Sequence, residues 1–111
     1  MNNKLFSMIS LSRKAGKLIY GFDVVKDSVL TEQAKLVIFS ADISQKTKQS
    51  MVKIITDNKE LEYRDTPLIM HDYAVICGKP TGVLAITDSG FATAIIKLLQ
   101  EDERLYDRKE Y

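Results

Sequence analysis

Apolar residues recur along the chain at two alternating spacings. Between residues 3 and 15, Leu5, Met8 and Ile9 recur at helical spacing and Gly16 follows as a stop signal, which predicts a helix. Residues 36–39, by contrast, form a continuous apolar run. Such a run is typical of a strand that is buried on both faces. The pattern therefore predicts an opening helix and, later, a central strand of a sheet.

The same pattern predicts the remaining elements. Further helices are expected from Asp23 to about Gln33, from a Ser44 cap to Asn58, from a Thr66 cap with Pro67 in the first turn to Gly78, and from Asp88 or Ser89 to about residue 100. Short strands are expected at 18–20, 61–64 and 83–86, with 61–64 near an edge of the sheet. Eight of the residues 101–111 are charged. That segment either continues the last helix or frays, and we expect a helix that fades into disorder.

Helices and strands alternate, with helix-length crossovers between the strands. This order predicts a layered α/β domain with helices on both faces of a four-stranded, largely parallel or mixed sheet. A chain of 111 residues is sufficient for one such domain and too short for two. We therefore expect a single domain over residues 1–100, followed by the charged segment 101–111.

The formal net charge is only +1, but the charges are unevenly distributed. Residues 1–58 contain nine Lys/Arg and five Asp/Glu, a net charge of +4, whereas residues 59–111 contain seven and ten, a net charge of −3. A basic N-terminal half slightly favours an anionic partner.

Residues that support catalysis are scarce. The sequence has no P-loop, dinucleotide fingerprint or nucleophile elbow. His71 is the single histidine, and Cys77, on the apolar side of its helix, is the single cysteine. Asp42 follows the central strand and is most simply a loop or capping residue. We therefore expect no enzyme activity, no catalytic or metal site, no cofactor and no small-molecule substrate.

The same composition predicts where in the cell the protein is located. No apolar stretch approaches the roughly 20 residues of a membrane span, and the N-terminus does not read as an export signal. A single cysteine forms no internal disulfide, which fits a reducing compartment. We expect a cytoplasmic protein that does not contact membranes.

One segment concentrates positive charge around a glycine turn. Arg13, Lys14, Lys17 and Lys26 surround a helix end, the turn and a new helix N-terminus. Helix N-termini attract phosphate, and the lysines could neutralise neighbouring phosphates of a nucleic acid. Alternatively, these side chains only solvate a helix end, and physical chemistry alone leaves both interpretations open.

Four segments resemble a known family in their order and spacing. They are RKAGKLIYGFDVVK (13–26), AKLVIFSADIS (34–44), CGK (77–79) and VLAITDSGFA (83–92). Together they resemble the ribosomal protein L7Ae/L30e/S12e/Gadd45 superfamily, and most of all its small bacterial YlxQ-type branch. The resemblance implies a three-layer αβα sandwich of the L30e type. It also implies binding of structured RNA, typically kink-turns, through the glycine loop and the loop before the fourth helix.

The RNA-reading motif of that family is matched only in part. The motif is glycine, any residue, asparagine, glutamate, any residue, threonine, lysine. Gly21 matches, but Asp23 and Val24 stand at the asparagine and glutamate positions, and Lys26 and Asp27 at the threonine and lysine positions. These changes remove groups that would read guanine edges, so we expect reduced base specificity.

The second contact loop contains Leu68, Ile69, Met70 and His71. It offers apolar and imidazole surface to an extruded base, although Leu68 and Ile69 would serve equally well as core residues. The predicted RNA-binding residues are Arg13, Lys14, Lys17, Gly21, Phe22, Asp23, Lys26, Met70 and His71. We expect structured RNA as the partner, with rRNA and ribosomal or other proteins left open. A protein-interaction module on the same fold remains the alternative.

Overall fold

The computed structural model describes residues 3–58 and 60–109, which form five helices and four strands. The elements are α1 (Asn3–Lys14), β1 (Leu18–Tyr20), α2 (Phe22–Leu30), β2 (Leu36–Phe39), α3 (Gln45–Thr56), β3 (Glu62–Asp65), α4 (Met70–Cys77), β4 (Val83–Ile86) and α5 (Ser89–Lys109). All the predicted elements are present in the predicted order. None of the described helices is both long and apolar enough to span a membrane.

The four strands form one mixed sheet in the order β1-β4-β2-β3. Strand β3 runs parallel to β2, while β4 runs antiparallel to both β1 and β2. Every residue of β2 and β4 is buried, because these strands are paired along both edges and covered on both faces. The predictions of a mixed sheet, a buried central Leu36–Phe39 strand and an edge strand after α3 are confirmed.

Alternate side chains of β2 point into two separate cores. Leu36 and Ile38 join one core with residues of α1, α4 and α5, whereas Val37 and Phe39 join the other with residues of α2 and α3. This alternation follows from the two-residue period of a strand, which sends neighbouring side chains to opposite faces. The helices therefore cover the sheet on both sides, and the predicted three-layer αβα sandwich is confirmed.

Two predicted helix starts are wrong. Helix α4 begins at Met70 and not after Thr66, because the buried Thr66 hydroxyl donates to the Phe39 carbonyl oxygen (2.8 Å) and so ties this residue to the sheet. Helix α2 begins at Phe22, with Gly21 and not Asp23 in the capping position. It also ends at Leu30, before the predicted Gln33. In both cases the residue before the helix is held by the sheet, and this sets where the helix begins.

The last helix is longer than the apolar pattern alone predicts. Helix α5 continues to Lys109, so the alternative of a continuing helix for the charged segment holds over the described residues. Residues 110 and 111, where a frayed end was also considered, lie outside the described residues.

Candidate nucleic-acid interface

A pocket of about 360 Å³ opens at the end of the sheet where β1 and β2 finish and β4 begins. Its lining comes from four separate segments, namely Phe22, Asp42, Ile43, Ser44, Thr47, Met70, Thr81, Gly82 and Val83. Phe22 and Met70 belong to the two segments that the sequence assigns to RNA contact. The fold thus brings these two segments together around one concave surface.

Gly21 places Phe22 at this pocket. Its amide donates to the carbonyl of Val83 at the start of β4 (3.0 Å), and its carbonyl accepts from Val25 in the first turn of α2 (2.9 Å). The backbone of Gly21 has φ 98° and ψ 143°, a conformation that side chains with a Cβ strongly disfavour. A glycine is therefore required for the chain to leave β1 and enter α2 directly at Phe22.

Asp42 fixes the opposite wall of the pocket. Its Oδ1 accepts a hydrogen bond from the Met70 amide (2.9 Å), and the neighbouring Ala41 amide donates to the Leu68 carbonyl (2.7 Å). The hydrogen bond from Met70 is the main reason why the pKa of Asp42 lies below its ordinary value. Asp42 is therefore a capping residue, as expected, but for α4 and not for the helix that follows it in sequence.

Three helices begin around the pocket, at Phe22, Gln45 and Met70. Two of these N-termini are capped by side chains, because Ser44 accepts from the Thr47 amide and Asp42 accepts from the Met70 amide. Helix α2 has no side-chain cap, and the amides of its first three residues, 22–24, make no hydrogen bond within the described part of the chain. Free N–H groups at a helix N-terminus favour a phosphate oxygen.

One of the predicted cations, Lys17, lies away from Gly21. The Lys17 carbonyl accepts from the Thr87 amide after the end of β4 (2.9 Å), whereas Gly21 bonds to the first residue of β4. Lys17 and Gly21 thus lie at opposite ends of β1. Lys14, Lys17 and Lys26 are exposed. None of them is in the two ion pairs found among the side chains of residues 4–58 and 60–101, which are Lys48–Asp65 and Arg64–Glu62.

The remaining predicted residues differ in exposure. Arg13 is exposed, and its guanidinium carbon lies 5.2 Å from the centroid of the Tyr20 ring. His71 and Asp23 are exposed, and Met70 is half-buried in the pocket wall.

The structure separates the two apolar residues of the loop before α4. Leu68 is buried, with 1% of its surface exposed, and belongs to the core, while Ile69 is 42% exposed. Only one of these two residues is therefore free to contact a ligand. The structure also adds Asp42 and Thr81–Val83 to the pocket. Their segments precede or follow buried strands in sequence, but only the pairing of those strands shows that they meet.

Cys77 lies inside the first core and is 7% exposed. Burial raises the pKa of its thiol, and the nearby positive charge of Arg13 only partly opposes that rise. Among the side chains described by the structure, those of residues 4–58 and 60–101, no three His, Cys, Asp or Glu are close enough together to hold a metal ion.

Two solved structures share the overall fold. A protein with unknown function from Bacillus halodurans C superposes with a TM-score of 0.80 at 22% identity, over 89% of this chain and 99% of that one. A Giardia lamblia 15.5kD RNA binding protein superposes with a TM-score of 0.69 at 18% identity, over 95% of this chain and 92% of that one.

Similarity at the level of sequence is more specific. The chain is 31% identical to the RNA-binding protein YlxQ of Bacillus subtilis (strain 168), over 85% of this chain and 93% of that protein. It is 29% identical to the RNA-binding protein YlxQ of Enterococcus faecium, over 87% and 92% of the two chains. The conserved pattern of one family matches residues 3–96, which include every element up to the first half of α5. The chain belongs to the ribosomal protein L7Ae/L30e/S12e/Gadd45 family.

Proposed function

We propose that this protein binds structured RNA at the pocket between Phe22 and Met70. The observation that carries the proposal is that these two residues, from segments 48 positions apart, line one pocket beside the uncapped N-terminus of α2. Family membership and the names of the YlxQ relatives support RNA as the partner.

Each part of the surface has a distinct role in this proposal. Phe22 and Met70 provide apolar surface on which an extruded base stacks, and the exposed His71 stands next to Met70. Arg13, Lys14, Lys17 and Lys26 contact phosphates along the strand, while the free amides of α2 bind a phosphate oxygen at the pocket. Phosphate contacts therefore position the RNA, and stacking of a base completes the binding.

Base discrimination is the weaker part of this function. Asp23 and Val24 lie in the first turn of α2 and are both exposed, with 52% of Val24 accessible. Neither side chain can donate an amide proton, and Asp23 adds negative charge close to a polyanion. We propose that a kink-turn-like RNA is bound with low discrimination between intact and disrupted sheared pairs.

The biological role that follows is that of a cytoplasmic accessory protein of the ribosome or of RNA metabolism, carried by one domain over residues 1–100. Structured RNA, rRNA included, is the principal partner, and ribosomal proteins are further candidates. The proposal assigns the chain no catalytic step and no cofactor.

A pair of matched phenylalanines tests the pocket. Phe22 and Phe91 are both half-buried in the first turn of a helix, but only Phe22 lines the pocket. We expect Phe22→Leu to weaken binding of a labelled kink-turn hairpin by at least about fivefold, since stacking on an aromatic ring contributes about 1–3 kcal/mol per base. Phe91→Leu should leave the affinity unchanged. Fluorescence anisotropy at low salt measures both.

The outcomes separate the alternatives. Equal affinities of the two variants would show that the base does not stack on Phe22. No binding by the wild type, even at low salt, would refute the proposal and favour the protein-interaction module. Bound nucleic acid that copurifies and is removed by high salt would support RNA binding.

A triple variant tests the proposed loss of specificity. Asp23→Asn, Val24→Glu and Asp27→Lys together restore three of the four departures from the family motif and leave Lys26 at the threonine position. We expect this variant to discriminate intact from disrupted kink-turns better than the wild type, whose discrimination should be below the about 1–3 kcal/mol of one bidentate base contact. Strong discrimination by the wild type would show that the substitutions leave base reading intact.

A further inference from the structure

Strand β3 forms one edge of the sheet, and part of its backbone points away from β2. The Thr66 amide donates to the Phe39 carbonyl in β2 (3.0 Å), and the backbone groups of a strand point to alternate sides. The amide and carbonyl of Arg64 therefore face β2, while those of Tyr63 and Asp65 face away from it. No other strand in the described part of the chain pairs with this edge. The edge thus presents donors and acceptors with which a further strand can pair.

The side chains of β3 partly cover this edge. The Arg64 guanidinium donates to the outward-facing Tyr63 carbonyl (2.8 Å) and lies 3.4 Å from a carboxylate oxygen of Glu62. Charged side chains on an edge strand commonly prevent it from pairing with other chains. The effect of these two charges depends on which charges an incoming strand places opposite them, because opposite charges across a strand pair attract and like charges repel.

A second copy of β3 brings opposite charges together in one register. In an antiparallel pair centred on Tyr63, the amide of each Tyr63 donates to the carbonyl of the other, since both groups face outward. Glu62 of each copy then lies directly opposite Arg64 of the other copy. These two positions are non-hydrogen-bonded pairs, in which side chains on neighbouring strands are closest. The four side chains therefore alternate in charge across the pair.

Two other antiparallel registers are unfavourable. A pair centred on Arg64 would place two guanidinium groups opposite each other. A pair centred on Asp65 would place two carboxylates opposite each other, and it would also require an amide proton from Pro67, which has none. The charge pattern of β3 thus favours the register centred on Tyr63.

The face of β3 that packs against α3 fits the same register. The Tyr63 ring packs edge-on against Phe39, with ring centroids 6.1 Å apart, but Tyr63 is still 38% exposed. Pairing centred on Tyr63 places the second copy's Tyr63 beside this exposed part. Asp65 does not oppose the pairing, because its charge is already neutralised by Lys48 (2.7 Å).

We propose that β3 is a self-association surface, at which two copies of this chain join their sheets by antiparallel pairing centred on Tyr63. Glu62 and Arg64 select the register, and pairing displaces the Arg64 guanidinium from the Tyr63 carbonyl. The contact is confined to an edge of four residues, so it belongs with small interfaces that dissociate readily. No residue of β3 lines the pocket, so the association leaves the pocket open and does not depend on the proposed function.

Charge reversal tests the register. Glu62→Arg places positive charges opposite each other at both cross-strand positions, and Arg64→Glu places negative charges there. Each variant alone should therefore self-associate at least about tenfold more weakly than the wild type. An equimolar mixture of the two variants restores both opposite-charge pairs in the mixed dimer, so we expect the mixture to associate like the wild type. Sedimentation velocity at protein concentrations up to about 1 mM measures each sample.

The matched control reverses two exposed charges outside β3. Lys97 and Glu101 lie on α5, and Lys97→Glu and Glu101→Lys, alone or mixed, should associate like the wild type. Recovery of the dimer in the mixture of β3 variants also shows that both variants are folded.

Hydrogen exchange tests the backbone contact. The Tyr63 amide is bonded to the second copy only in the dimer, so its exchange should slow as the concentration of the wild type rises. The Arg64 amide faces β2 in monomer and dimer alike and serves as the internal control. A wild type that remains monomeric at about 1 mM would overturn the proposal. A dimer that both charge reversals leave intact, or whose Tyr63 amide exchanges equally fast at all concentrations, would show that the copies associate through another surface.

Discussion

A buried chain of hydrogen bonds ties α4 to the sheet and should be sensitive to a single isosteric substitution. The Thr66 hydroxyl donates to the Phe39 carbonyl oxygen (2.8 Å) and lies 2.7 Å from the Tyr73 hydroxyl. Because its single proton goes to Phe39, the Tyr73 hydroxyl must be the donor of the second bond. Thr66 is 4% exposed and Tyr73 is fully buried. No water is thus at hand to replace a lost partner.

The expected loss follows from these contacts. Thr66→Val preserves the side-chain volume but leaves the Tyr73 hydroxyl buried and unpaired, which costs about 1–3 kcal/mol. The Phe39 carbonyl still accepts from the Thr66 amide (3.0 Å), so its loss is small. With an unfolding entropy of about 2.1 cal/mol/K per residue over 111 residues, each kcal/mol lowers the midpoint by about 4 °C. We therefore expect Thr66→Val to unfold about 4–12 °C below the wild type.

A double-mutant cycle by thermal and urea unfolding tests this reasoning. Tyr73→Phe removes the hydroxyl that Thr66→Val would leave unpaired, so the double variant should be more stable than the sum of the single losses predicts, by about 0.5–3 kcal/mol. Additive losses, or a Thr66→Val protein with the stability of the wild type, would show that the Tyr73 hydroxyl finds another partner and that our account of α4 is wrong.

Three further predictions address other parts of the molecule. Burial raises the pKa of Tyr73 above its ordinary value near 10, so protonation of Tyr73 stabilises the folded state. Above about pH 10 the free energy of unfolding of the wild type, measured in urea, should therefore fall by up to about 1.4 kcal/mol per pH unit. The same alkaline loss in a Tyr73→Phe protein would contradict this prediction. Gly21→Ala should cost about 1–3 kcal/mol through backbone strain alone, since a Cβ would meet no atom within 4 Å; unchanged urea stability would show that the turn relaxes. Cys77 should react with a thiol reagent slowly in the folded state and rapidly in urea, because it is buried and its thiol pKa is raised; fast labelling of the native protein would place it at the surface.

The elements that are determined locally could be predicted from the sequence. The run Leu36–Phe39 is apolar at every position, so it predicts a doubly covered strand whatever its neighbours are. Ser44 caps α3 as expected, because the acceptor and the Thr47 amide are three residues apart. In these cases the feature that determines the element lies within a few residues along the chain.

The helix starts that failed depend on distant partners. Thr66 has the right chemistry for a cap, but the Phe39 carbonyl, 27 positions earlier, takes its hydroxyl proton. Asp23 is likewise a good capping residue, yet the hydrogen bond of Gly21 to Val83 sets the start of α2 two positions earlier. Such competition cannot be read from a single segment, because it depends on which strands pair.

The candidate site, like the fold, could be predicted from the sequence only in part. The family resemblance predicts two contact segments, and the structure places Phe22 and Met70, one from each segment, on one pocket. Lys17 and Gly21 are close in sequence, but the extended strand β1 lies between them, so they bond to opposite ends of β4. The approach of Arg13 and Lys79 to the same Tyr20 ring could not be predicted at all, since these two residues are 66 positions apart in the sequence.

The position of β4 has a consequence for how the protein is made. The last strand to be synthesised lies between β1 and β2, which pair with it and not with each other. The Gly21 and Ser40 amides bond to the carbonyls of Val83 and Gly82 at its start. A nascent chain that ends before residue 82 therefore has neither a continuous sheet nor a pocket. Because these contacts join residues more than 40 positions apart, they form late. If RNA binds at this pocket as we propose, an incomplete chain on the translating ribosome cannot bind it there, and binding ability appears only after β4 has been synthesised.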